Sequence, residues 1–183
     1  MRRALFPTLL TGLIVTLSAC TALYPPAERA EEMMGEAGMM MGGVPMDFTA
    51  HLITGTEVPP VDMGTPATAS GMGVFVLNAD HTELAYAITY SGLSGPVNIA
   101  HFHMGALGDA GGVVRTICGA PPAPEAPSQC PMGMSGTLAG AWTSSDSQPL
   151  TQEAVDALMA GSIYVNFHTS LNGPGEVRGQ ILP

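Results

Sequence analysis

The stretch Glu83–Ser91, ELAYAITYS, reads as a β-strand from its period alone. Leu84, Tyr86, Ile88 and Tyr90 fall on one face, and Ala85, Ala87 and Thr89 fall on the other. A period of two with one large apolar set is built to cover a core. Just upstream, LNADHTEL places Asn78, Asp80 and His81 between two apolar runs, which suits a tight hairpin connection and makes His81 an exposed turn residue. The same pattern of short apolar runs between Gly, Pro, Asn and Asp holds from Asp47 onward. It predicts strands over 47–54, 71–78, 83–91, 97–104, 112–117, 135–142, 162–169 and 176–182. One helix interrupts them. Thr151 can cap QEAVDALMA, Leu150 can staple onto Val155, and Val155, Leu158 and Met159 make an apolar stripe that Gly161 ends. About eight strands and one short helix predict an all-β fold, a Greek-key β-sandwich.

Period two also sorts the polar residues. In NIAHFHMG, His101 and His103 share a face with Ile99, while Ala100, Phe102 and Met104 point the other way. In SIYVNFHTS, Ile163, Val165 and Phe167 oppose Tyr164, Asn166 and His168. In GEVRGQIL, Val177 and Ile181 oppose Glu176, Arg178 and Gln180. If these strands are neighbours, His101, His103, His168, Glu176 and Arg178 converge on one sheet surface. Three imidazoles from two strands would suit Cu(II) or Zn(II). The structural alternative has the histidines hydrogen-bonded to backbone or carboxylates, with Glu176 and Arg178 in ion pairs. His51 faces away from Phe48 and Leu52 and reads as a solvated strand residue.

The first residues belong to a different class of segment. Arg2 and Arg3 precede a short apolar run, Leu9–Leu17, and LSAC closes it at Cys20. A run this short is a secretory signal rather than a membrane span. The closing residues resemble a bacterial lipobox. That resemblance implies a signal peptide over 1–19, cleavage before Cys20, and acylation of Cys20 as a membrane anchor. Thr21 after the cysteine points to the outer membrane if the envelope has one. Residues 20–46, with Met33, Met34, Met39, Met40, Met41 and Met46 among glycine and glutamate, read as a flexible tether. Their thioethers also suit Cu(I). The folded domain is expected over 47–183.

Without residues 1–19 the chain has fifteen acidic residues against Arg29, Arg115 and Arg178, and no lysine, a formal net charge of −12. Such a surface excludes nucleic acid as a partner and anionic lipid bound through a basic patch. With Cys20 lipidated, Cys118 and Cys130 remain, and export to an oxidising compartment predicts their disulfide across a proline-rich loop.

Three stretches taken together resemble the CHRD (chordin-type) domain: FTAHLITGTEVPPV, AHFHMGALGDAGGVV and YVNFHTSLNGPGEVRGQI, spanning roughly residues 47 to 182. The matching positions are Glu57, Pro59, His101, His103, Gly105, Gly112, Asn166, His168, Thr169, Gly175, Glu176, Arg178 and Gly179. The resemblance implies a β-sandwich module of secreted and envelope proteins with no established enzymatic activity. HFHMGALGD is also similar to the HxH strand of copper–zinc superoxide dismutases. The chain offers only His51, His81 and His168 beyond that pair, nothing fixes Asp109 as a ligand, and a charge of −12 repels an anionic substrate. No GxSxG elbow or HExxH helix is present. The expectation is therefore a non-enzymatic lipoprotein, membrane-tethered at the cell envelope, that binds an envelope or extracellular partner. The alternative is copper or zinc binding through His101, His103 and His168 for storage or tolerance. A superoxide-dismutase-like redox enzyme is the remote third.

Overall fold

The computed structural model describes residues 43–61, 64–66, 68–119 and 123–183. The signal peptide, Cys20 and the methionine-rich tether lie outside the described residues. Eight strands follow in chain order: β1 Met46–Ile53, β2 Ser70–Leu77, β3 Glu83–Ser91, β4 Ile99–Met104, β5 Gly112–Gly119, β6 Gly136–Thr143, β7 Ile163–His168 and β8 Val177–Gln180. A 3-10 turn, Thr54–Thr56, follows β1, and one helix, α1, covers Gln152–Met159. The strands form one antiparallel sheet in the order β5-β4-β7-β8-β1-β2-β3-β6. The sheet is nearly closed and folds on itself like a sandwich or barrel, as the alternation predicted.

ELAYAITYS shows why. Leu84, Ile88 and Tyr90 are buried between the halves of the sheet, and Tyr86 lies at their margin. Aromatic rings join the halves across the core. Phe102 of β4 meets Phe75 of β2 and Tyr86 of β3 edge-on, stacks on Trp142 of β6 at 5.5 Å between centroids, and Tyr90 of β3 meets Phe167 of β7 at 5.2 Å. Such pairs add to their area burial by about 0.5–1.5 kcal/mol each.

The seam between halves is the β8–β1 contact. Ile53 registers with Arg178, and Thr49 exchanges both backbone hydrogen bonds with Leu182. Gly179 permits this approach, because a Cβ there would come 2.7 Å from the His51 carbonyl oxygen. At the far edges, Arg115 of β5 is buried and pairs with Asp146 and Glu125, each at 3.1 Å. The Thr116 N–H donates to Gln148 Oε1, and Trp142 Nε1 donates to the Gln148 carbonyl. The segment after β6 thus laces the two sheet edges together.

Helix α1 begins as predicted, with Thr151 Oγ1 accepting from the Ala154 N–H, and Gly161 follows it at a φ of +67°. Its buried residues are Ala154, Val155 and Leu158, whereas Met159 is exposed, so Ala154 takes the place expected of Met159 in the stripe.

Cys118 and Cys130 form the predicted disulfide, with Cα atoms 5.1 Å apart. The bridge holds the loop that brings Glu125 to Arg115. Replacing both cysteines by serine is expected to lower unfolding stability by about 3 kcal/mol, on the loop-closure model. A urea midpoint unchanged from the parent protein would contradict this.

Candidate metal centre

On the half formed by β4, β7 and β8, the core-facing set is as expected: Ala100, Phe102, Ile163, Val165, Phe167 and Val177 are buried. The polar faces of these strands do not present themselves to solvent. Asn166, Glu176 and Arg178 are buried, as are His103, His168 and Gln180, while His101 is half-buried. Loops cover this face. The segment after β4 lies over it because Arg178 donates to the carbonyls of Asp109 and Ala106, and Gln180 donates to that of Gly105.

Register brings the polar residues into rows. His101 of β4 faces Asn166 of β7, which faces Arg178 of β8. His103 faces Tyr164, which faces Gln180. Directly opposed residues share a sheet face. The three histidines therefore meet: one donor nitrogen from each of His101, His103 and His168 lies within 4.8 Å of the other two. His101 Nδ1 is 3.3 Å from His168 Nε2. The two rings are hydrogen-bonded at that distance; two ligands of one tetrahedral ion at 2.0–2.1 Å also stand about 3.3 Å apart, so coordination would need little change in their spacing.

Backbone carbonyls settle the tautomers of the other ring atoms. His103 Nδ1 is 3.0 Å from the Gly111 carbonyl, and His168 Nδ1 is 2.9 Å from that of Gly173. A carbonyl only accepts, so each Nδ1 carries the proton and each Nε2 keeps its lone pair. A metal-ligating imidazole needs this outer hydrogen bond. His103 Nε2 is buried without a hydrogen-bond partner. Burial pushes the His101 pKa down to about 4, helped by His168 and His103. Burial also lowers His103 and His168, outweighing the carbonyl bonds that favour their charged forms. All three rings are neutral at pH 7, the state that binds metal.

Further residues support the three. Tyr164 stacks on His103, with centroids 4.9 Å apart and planes 7° apart, and the Arg178 guanidinium lies 3.5 Å over the Tyr164 ring. The Gly111 N–H donates to the Tyr164 hydroxyl. The structural alternative holds for the backbone bonds of His103 and His168, but among the described residues neither Arg178 nor Glu176 is in an ion pair. Among the described residues only Arg115 pairs with carboxylates. Glu176 instead accepts from the Ser94 N–H and hydroxyl, the Thr169 hydroxyl and the Asn172 amide. Burial works to raise its pKa, but these donors prevail and hold it below the usual value.

Glu57, just after the 3-10 turn, reaches the same layer and accepts from Asn166 Nδ2 at 3.2 Å. Burial pushes its pKa up to about 8, against the lowering effects of Arg178 and Asn166. Gly175 lies against this pair with a φ of +147°, and a Cβ there would come within 2.6 Å of both side chains. The sequence marked Glu57 only as a matching position, and Tyr164 only as a member of a polar set. The register of Tyr164 with His103 is what gives it a role. Asp109 contributes its carbonyl to Arg178 and is not among the clustered donors. His51 is exposed on β1, beside a depression of about 390 Å³ that contains none of the three histidines.

Residues 48–181 match the family model described as the CHRD domain, and the chain belongs to that family, known as a non-enzymatic binding domain. No curated protein and no solved structure matches the chain.

Glu176 gives the layer an acid-sensitive anchor. Its folded pKa is depressed below 4.5, so its contribution is complete above pH 4.5 and is lost as pH falls through the folded value. Glu176→Gln is expected to be less stable than the parent by about 2 kcal/mol at pH 7, with the gap closing in acid. Urea unfolding at several pH values measures this, and a gap independent of pH would contradict it.

Proposed function

We propose that this CHRD domain binds one copper or zinc ion through His101, His103 and His168. The observation that carries the reading is the convergence of three donor nitrogens within 4.8 Å, two of the rings oriented by backbone carbonyls. Drawing the three nitrogens around one ion at 2.0–2.1 Å takes movement of at most about 1.5 Å. A hydrogen-bonding role alone leaves His103 Nε2 buried and unpartnered, a costly state for a polar atom. A metal resolves it.

Three protein ligands leave a further coordination position, and half-exposed His101 marks the side from which an ion and a fourth ligand would enter. We place the protein at the cell envelope, held by lipid on Cys20, on the strength of the lipobox-like LSAC. In that setting a chain of strongly acidic character draws cations towards its surface, which suits storage or tolerance.

The second reading, a domain that binds an envelope or extracellular partner, is favoured by the family. The two separate in one experiment. Protein purified without a histidine tag is expected to take up one equivalent of Cu(II) or Zn(II) per chain. His168→Ala is expected to abolish uptake, and His51→Ala to leave it intact. Metal analysis and circular dichroism on the same samples check binding and folding. A parent protein that takes up neither metal on titration would overturn the reading in favour of partner binding.

A further inference from the structure

We infer that Glu57 balances the charge of the bound ion, releasing its own proton when a divalent metal enters the three-histidine site. The inference rests on the metal reading and adds to it the residue that couples uptake to proton release.

The observation is a concentration of unpartnered atoms. Among the described residues, five buried side-chain nitrogen or oxygen atoms lack a hydrogen-bond partner. Four of them, Glu57 Oε1, His103 Nε2, Asn166 Oδ1 and Arg178 Nε, lie in this one layer. An ion on the histidines accounts for His103 Nε2. The other three belong to Glu57, Asn166 and Arg178, which adjoin one another. Asn166 stands opposite His101 on one side and Arg178 on the other, and His168 is two residues along the same face. Its Nδ2 donates to Glu57 Oε2 and to the Pro174 carbonyl. Glu57 is thus one side chain removed from the metal ligands.

Charge supplies the driving force. The layer already holds buried Arg178 with no carboxylate at ion-pair distance among the described residues. A divalent ion adds two positive charges to it, and buried charge without a counter-charge is expensive. The charged and titratable groups facing Glu57 are Arg178 and Glu176 from β8 and its approach, with the histidines of β4 and β7 beyond Asn166. Glu176 is already ionised and supplied with donors. Glu57, with one oxygen buried and bare, is the acid in this layer that still carries a proton at neutral pH. On uptake the ion enters from solvent, the Glu57 O–H bond breaks, its proton passes to the buffer, and the carboxylate stays as counter-charge.

The test is calorimetric titration of Zn(II) into the full protein at pH 7.5, in buffers of different ionisation enthalpy. At that pH imidazoles are neutral even without any shift and contribute little. A water on the zinc ionises too, and does so equally in parent and variant. Glu57→Gln is expected to bind zinc and to release about half to one proton fewer than the parent at pH 7.5, the difference falling towards none by pH 9.5, where Glu57 is ionised beforehand. Equal release from the two proteins at pH 7.5, a difference undiminished at pH 9.5, or zinc binding by the parent without any release would overturn the inference while leaving the metal site standing. The last outcome needs no variant to fold. No uptake of zinc, nor of Cu(II) titrated in its place, by the parent protein would overturn the metal reading and this inference together.

Discussion

A guanidinium buried with no carboxylate at ion-pair distance among the described residues organises the layer above the β4–β7–β8 face. Arg178 is fully enclosed and spends its terminal N–H donors on the Asp109 and Ala106 carbonyls, with Gln180 beside it. That choice of partners fastens a loop onto a sheet face, where an ion pair would have tied only two side chains. The fastened loop delivers the Gly111 carbonyl to His103 and the Gly111 N–H to the Tyr164 hydroxyl. Arg178 also lies over Tyr164, whose other partner in the stack is His103. The arginine therefore fixes His103 twice, through the loop and through the ring. A buried polar layer of this kind is stable only when its members are satisfied, which is why its few bare atoms carry information.

Preorganisation is the chemical consequence. His103 and His168 each have one nitrogen committed to a carbonyl, so the tautomer that exposes Nε2 is set before any ion arrives. Their positions come from paired strands rather than from loops, and strands hold ligand geometry more closely. His101, half-exposed, is the ligand with room to adjust.

Much of this was legible in the sequence, for one reason: a strand has a period of two. ELAYAITYS gave its buried face directly, and HFH, YVNFH and EVRGQ each gave a polar set whose members do share a face. The disulfide followed from two leftover cysteines in a chain whose first residues read as an export signal. Other features were hidden because they depend on what packs over a face rather than on the face itself. The burial of Asn166, Glu176 and Arg178 was one of these, since nothing in the strands shows that segments from after β1, β4 and β7 fold over them. Glu57 carried no visible role because its partner, Asn166, is 109 residues away in the chain. The structural alternative put Glu176 and Arg178 in ion pairs because charged side chains usually find opposite charges. Here backbone groups and neutral donors take that part.

The central claim is that three histidines from β4 and β7 hold one ion. Crystals grown with one equivalent of copper or zinc, with diffraction recorded on either side of the metal absorption edge, test it most directly. The account predicts one anomalous peak about 2 Å from His103 Nε2, His168 Nε2 and a ring nitrogen of His101. A peak elsewhere on the molecule, with the three rings bonded only to one another, to carbonyls and to water, would contradict it.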